Sequence, residues 1–165
     1  MKSKAKFGII ILLLLILNGF IYASSYTISE ENVKLSIANN LSLADKNINL
    51  IKEENLSGLK TLIFINENEP AQLGLAILAK GINNKYKILG VYNDSDKYVT
   101  ARKRGLKNYI IIAGNNSDGA LEYLKFNDNN TKIKIEKGLF LKVLNIESGQ
   151  VYNYYNENDE VIEWN

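Results

Sequence analysis

The chain has no cysteine and no histidine, and only one proline, one methionine and one tryptophan among its 165 residues. Without cysteine no disulfide braces the fold and no thiol chemistry is available. Without histidine the residue most used for proton transfer near neutral pH is missing. Its absence also removes the commonest ligand for zinc, copper and non-haem iron. Ser-His-Asp and Cys-His nucleophile systems are therefore excluded. No glycine-rich phosphate loop is present either: Gly114–Gly119 is not followed by Lys-Ser/Thr. The sequence thus offers no cofactor motif.

What is present reads as a globular chain, 46% hydrophobic and 23% charged. The formal net charge is +2, and it becomes about −1 once Lys2, Lys4 and Lys6 are set aside. A near-neutral remainder has no electrostatic footprint for nucleic acid. Those three lysines open residues 1–25. Behind them runs Phe7–Leu17, all apolar or glycine, then Asn18-Gly19, and finally Ala23-Ser24-Ser25. The charged, apolar, small-residue order is that of a secretory signal peptide, with a cut before Tyr26. The alternative is an uncleaved anchor over residues 7–23, lysines on the cytoplasmic side. Either way the expectation is a 26–165 domain outside the cytoplasm, secreted or anchored to the cell membrane by its N-terminus. With no cysteine in that domain, a bacterial source is expected.

Periodicity places one amphipathic helix over residues 29–46. Ser29 is the expected cap, Glu30 and Glu31 suit the positive helix end, and Val33, Ile37, Leu41, Ala44 and Ile48 share a face. From residue 48 the period shifts toward two. Strands are expected at Ile48–Leu56, where Ile51 breaks the alternation, and at Lys60–Asn66, Gln72–Lys80, Tyr86–Tyr92, Tyr98–Arg102 and Tyr109–Ala113. Further strands follow at Leu121–Phe126, Lys132–Glu136, Leu139–Ile146, Val151–Tyr155 and Glu160–Trp164. Glu67–Ala71, with the only proline, reads as a loop. The predicted fold class is α+β, mostly β. It is an antiparallel meander or barrel-like sheet, with one N-terminal amphipathic helix after the export segment.

The stretch Leu73-Gly-Leu-Ala-Ile-Leu-Ala-Lys-Gly-Ile-Asn-Asn-Lys-Tyr-Lys-Ile88, the preceding strand Lys60–Ile65 and the closing Tyr154–Ile162 form a pattern. It resembles small, uncharacterised exported or membrane-anchored proteins of low-GC Gram-positive bacteria. The resemblance implies an extracytoplasmic β-rich domain and carries no catalytic residue.

Several clusters qualify as sites, each with an ordinary structural explanation beside it. Lys97, Arg102, Lys103, Arg104 and Lys107 could contact an anionic surface, or protect a strand edge. Tyr152, Tyr154 and Trp164 could form an aromatic binding face, with Tyr155 pointing the other way, or simply pack across strands. Asp94 and Asp96 could offer oxygen to Ca²⁺, but the glycine and distal glutamate of a calcium loop are missing. Glu53 with Glu54 and Glu67 with Glu69 are the carboxylate pairs that glycoside cleavage would need. Asn-x-Ser/Thr triplets at Asn40, Asn55, Asn93, Asn115 and Asn129 follow from an asparagine-rich composition. The expected function is a non-enzymatic interaction or accessory domain. The alternatives are a carboxylate-dependent cell-envelope hydrolase and an inhibitor or immunity-type protein.

Overall fold

The computed structural model describes residues 2–43, 47–127, 131–147 and 149–164. Ala44 and Asn129 lie outside that set. The chain begins with α1, Lys2–Ser24. Within it Phe7–Ser24 is long and apolar enough to cross a membrane, and none of that window is buried. At 1.5 Å per residue α1 is about 34 Å long, against about 30 Å of bilayer hydrocarbon. A single turn of 3-10 helix, Glu30–Asn32, leads into α2, Val33–Asn40.

The amphipathic helix is shorter than its periodicity suggested. It ends at Leu41 because Ser42 takes the left-handed conformation, φ 55°. Leu43 N–H then bonds Ala38 O at 3.2 Å and Ser42 N–H bonds Asn39 O at 3.1 Å, the Schellman closure. Ile48, which continued the helical spacing, begins the first strand instead. Ser29 does not cap the backbone either. Its hydroxyl donates to Glu31 Oε1 at 3.1 Å and accepts from Asn32 Nδ2 at 2.9 Å.

Among the described residues three antiparallel sheets follow, rather than one. Sheet A is a meander of β1 (Ile48–Leu56), β2 (Leu59–Asn66), β3 (Glu69–Lys80) and β4 (Tyr86–Ser95). Sheet B joins β5 (Lys97–Arg104), β6 (Lys107–Asn116) and β9 (Gly138–Ile146). Sheet C is made of short pieces in the order β11-β10-β7-β8: Val161–Ile162, Tyr152–Tyr155, Tyr123–Phe126 and Lys132–Lys134. The expected Glu67–Ala71 loop shrinks to a turn, with Pro70 inside β3. Pro70 lies within the register shift near the start of the strand, between the pairs Asn66–Glu69 and Ile65–Leu73, where a missing N–H costs little.

The layers stack as α2, A, B, C. Alternate residues of β2 and β3 serve opposite interfaces. Leu59, Ile63, Leu75 and Ile77 face sheet B, where they meet Tyr109, Ile111 and Val143. Leu62, Phe64, Ala76 and Leu78 face α2, where they meet Val33, Ile37 and Ala38. Sheet B repeats the pattern, and Ile110, Ile112 and Phe140 face sheet C. An antiparallel sheet usually wets one face. Here A and B are covered on both, which is why Thr61–Ile65, Leu73–Ala79 and Tyr109–Ala113 read as nearly unbroken apolar runs.

A β-bulge at Ile51 makes the outer seam. The register of β1 against β2 shifts between Leu50 and Lys52, so the face changes there. Ile48 packs with the α2 layer, while Leu56 packs against the A–B core. Lys52 and Glu54 are thereby aimed at β9. Glu54 Oε2 accepts the Val143 N–H at 3.1 Å, and Lys52 Nζ donates to Leu139 O at 2.9 Å. These side chains occupy the edge groups that a further ladder would use. Among the described residues no ladder joins β1 to β9, so A and B remain a sandwich and do not close into a barrel.

Candidate functional site

Strand alternation sends Glu53 and Glu54 to opposite faces, and each has a different partner. Glu53 turns toward α2 and pairs with Lys60 Nζ at 2.8 Å, and Glu30, from the turn before α2, pairs with the same ammonium. Lys60 comes from the centre of sheet A and its side chain is 5% exposed. It also lies 5.6 Å from the centroid of Tyr86. These groups line a cleft of about 350 Å³ with Asn55 and Lys80. Lys60 holds the Glu30 carboxyl below its ordinary range, chiefly by direct hydrogen bonding. Burial pushes the Lys60 ammonium downward, but the hydrogen bonds it donates to Glu30 and Glu53 outweigh it and leave its pKa raised.

Two carboxylates in one cleft meet the first requirement of a glycosidase. The second is that one of them stay protonated to act as an acid. A shared ammonium does the reverse and favours the ionised form. Among the described residues the carboxyl that is raised is Glu54, pushed up by burial, and it lies at the β1–β9 seam, committed to Val143 N–H. Glu136 at that seam is lowered by its pairs with Lys142 at 2.7 Å and Lys52 at 3.0 Å. Both clusters read as ion pairs that seal sheet edges and faces. Glu67 and Glu69 flank the β2–β3 turn, and Asp94 and Asp96 flank the β4–β5 corner. Among the described residues no group of three potential ligands gathers to hold a metal ion.

The basic residues divide. β5 runs from one end of the sandwich to the other, so Lys97 lies at the opposite end from Arg104 and Lys107. Lys97 Nζ sits 5.8 Å from the Trp164 ring. Arg102 turns inward. Its guanidinium donates to the Tyr92 hydroxyl and lies 5.7 Å from that ring, tying β5 to β4. Arg104 donates to the backbone oxygens of Gly58 and Lys80, tying the β5–β6 turn to sheet A. Lys103 and Lys107 are exposed.

Tyr152, Tyr154 and Trp164 do share a cluster, and it is largely interior. Tyr154 is 7% exposed. Its ring meets Trp164 at 5.2 Å and Tyr152 at 5.6 Å between centroids, and Trp164 meets Phe140 at 5.3 Å. Burial holds the Tyr154 hydroxyl far above its ordinary pKa. Trp164 lies over Gly114, where an added Cβ would stand 2.5 Å from the ring. Tyr155 points the other way and stacks on Tyr123 at 4.9 Å.

Sequence reasoning missed a feature at the end of α1. Asn83, in the β3–β4 turn, donates to Tyr26 O at 3.0 Å and to Ala23 O at 3.4 Å. Tyr26 lies against Tyr22, 4.8 Å between centroids, and against Gly81. Ile28 then makes an antiparallel bridge to Tyr86. The last turn of the apolar helix is thus bonded to the domain. No protein-family model matches this chain, and no curated protein or solved structure matches it.

Proposed function

We propose that the chain is an extracytoplasmic interaction module, without catalytic chemistry of its own, held at the outer face of a bacterial membrane by an uncleaved α1. One observation carries this reading: a membrane-length apolar helix, unburied over Phe7–Ser24, is hydrogen-bonded at its last turn to the folded domain. The lysines before Phe7 favour a cytoplasmic N-terminus, which sends residues 26–165 to the far side. The ionic clusters at Lys60 and Glu136 are engaged with one another, which favours binding over catalysis. Mass spectrometry of the protein after cell fractionation tests the reading. The expected product is membrane-bound and begins at or near Met1. A form beginning at Tyr26 in the medium would replace the anchor with a signal peptide, and a soluble cytoplasmic product would end the proposal.

A further inference from the structure

The hairpin tips at the two ends of the A–B sandwich differ in chemistry. At the end beside α1 are the turns after β1, β3 and β5, tied together by Arg104. Turn tips usually carry glycine and small polar residues. Two of these tips instead present bare aliphatic side chains: Ile82 is 81% exposed and Leu106 is 98% exposed. Around them stand Lys80, Lys85, Lys103 and Lys107, all exposed. The segments Lys80–Lys87 and Lys97–Ser117 contain no Asp or Glu. The nearest carboxylates on the α2 side, Glu30 and Glu53, are already paired with Lys60. Among the described residues, Glu147, in the loop after β9, is the acidic residue left at this end. The opposite tips, Glu67-Asn68-Glu69 and Asp94-Ser95-Asp96, carry carboxylates and no apolar residue.

Position selects the occupant. Ile82 immediately precedes Asn83, which is bonded to the end of α1, and Leu106 lines a cleft of about 650 Å³ with Tyr22 and Tyr26. Tyrosines at a helix end are the residues that membrane interfaces prefer. Exposed aliphatics ringed by lysines fit a phospholipid interface, with acyl chain beneath and phosphate around.

We propose that this end of the domain is a lipid-docking face. Ile82 and Leu106 enter the leaflet from which α1 emerges, and Lys85, Lys103 and Lys107 lie among its phosphates. Docking rests on the anchored reading above and goes beyond it: a tether alone would leave the domain free to tumble, whereas docking fixes its orientation. The acidic tips would then point away from the membrane.

The absence of native cysteine allows clean single-site labelling. Full-length Leu14→Cys, Ile82→Cys, Leu106→Cys and Glu67→Cys, each carrying an environment-sensitive fluorophore, are reconstituted into vesicles of phosphatidylcholine and phosphatidylglycerol with brominated acyl chains. Quenching at positions 82 and 106 is expected to be several-fold greater than at 67. It should fall by at least half at position 82 when Lys103→Glu and Lys107→Glu are added. If 82 and 106 are quenched no more than 67 while 14 is quenched, docking is wrong and the anchor stands. If 14 itself is unquenched, the anchored reading fails and takes docking with it. Quenching that survives the two charge reversals would overturn the role given to the lysines.

Discussion

Sheet B is held on its two faces by different means. Toward sheet A it meets long strands whose register is set by long ladders, and the contact is mainly aliphatic: Ile111, Ala113, Leu141 and Val143 against Ile63, Leu75 and Ile77. Toward sheet C it meets strands of 2 to 4 residues. So few ladder bonds cannot hold a sheet in water on their own. Large aromatic side chains and one buried amide make up the difference. Asn116 Nδ2 donates to Leu121 O at 2.7 Å and to Glu136 O at 3.2 Å, while its Oδ1 accepts Leu121 N–H at 3.0 Å. Where strands are long, backbone repetition supplies order. Where they are short, individual side chains must.

The contrast can be broken most directly at Ile111, which is fully buried in the A–B core. Ile111→Ala should cost about 3–4 kcal/mol in denaturant unfolding and lower the protection of all three sheets together. Asn116→Ala should cost about 2–3 kcal/mol, because it leaves the buried backbone N–H and C=O of Leu121 unpaired and takes a donor from Glu136 O. Its amide-exchange signature is expected to concentrate in β7, β8 and β10. Equal loss of protection across β2 and β3 would mean that sheet C is not held separately.

Smaller effects are expected where the seams are ionic. Glu30→Gln with Glu53→Gln removes both negative charges from beside the buried Lys60 ammonium and should cost about 2 kcal/mol at neutral pH, since water reaches the exposed carboxylate side. The Glu30 carboxyl is depressed in the folded state. Its stabilisation is present above the ordinary unfolded pKa and is lost as pH falls through the folded value. The variant's stability should therefore vary less with acid than the parent's, as acid titration followed by circular dichroism would show. Glu54 has the opposite sign. Burial raises its pKa, so its ionised form opposes folding and acid relieves that cost. Glu54→Gln can still accept the Val143 N–H, and denaturant titration at neutral pH should find it unchanged or slightly more stable.

The strands were largely legible because the β signal is local. Lys60–Asn66, Tyr86–Tyr92 and Leu139–Ile146 fall within or nearly on their elements, and the alternation break at Ile51 marks the bulge. The end of α2 was not legible. A left-handed serine stops the helix where glycine would ordinarily announce it, and Ile48 continued the helical spacing by coincidence. The site candidates were legible only as residue types. A one-dimensional cluster from Lys97 to Lys107 hid the fact that a strand carries its two ends about 3.3 Å per residue apart. It also hid that Arg102 and Arg104 are bonded to sheet A. The exposed tips at Ile82 and Leu106, separated along the chain, gave no common signal.

From the sequence alone come the properties that any short window expresses: an apolar helix behind three lysines, a β-rich remainder, and the removal of thiol and imidazole chemistry. Tertiary structure decided the number of sheets, the covering of A and B on both faces, and the pairing of Glu30 and Glu53 on one lysine. It also decided which tips stand beside α1. Each of these depends on contacts between segments distant in the chain, and no local period or propensity encodes such contacts.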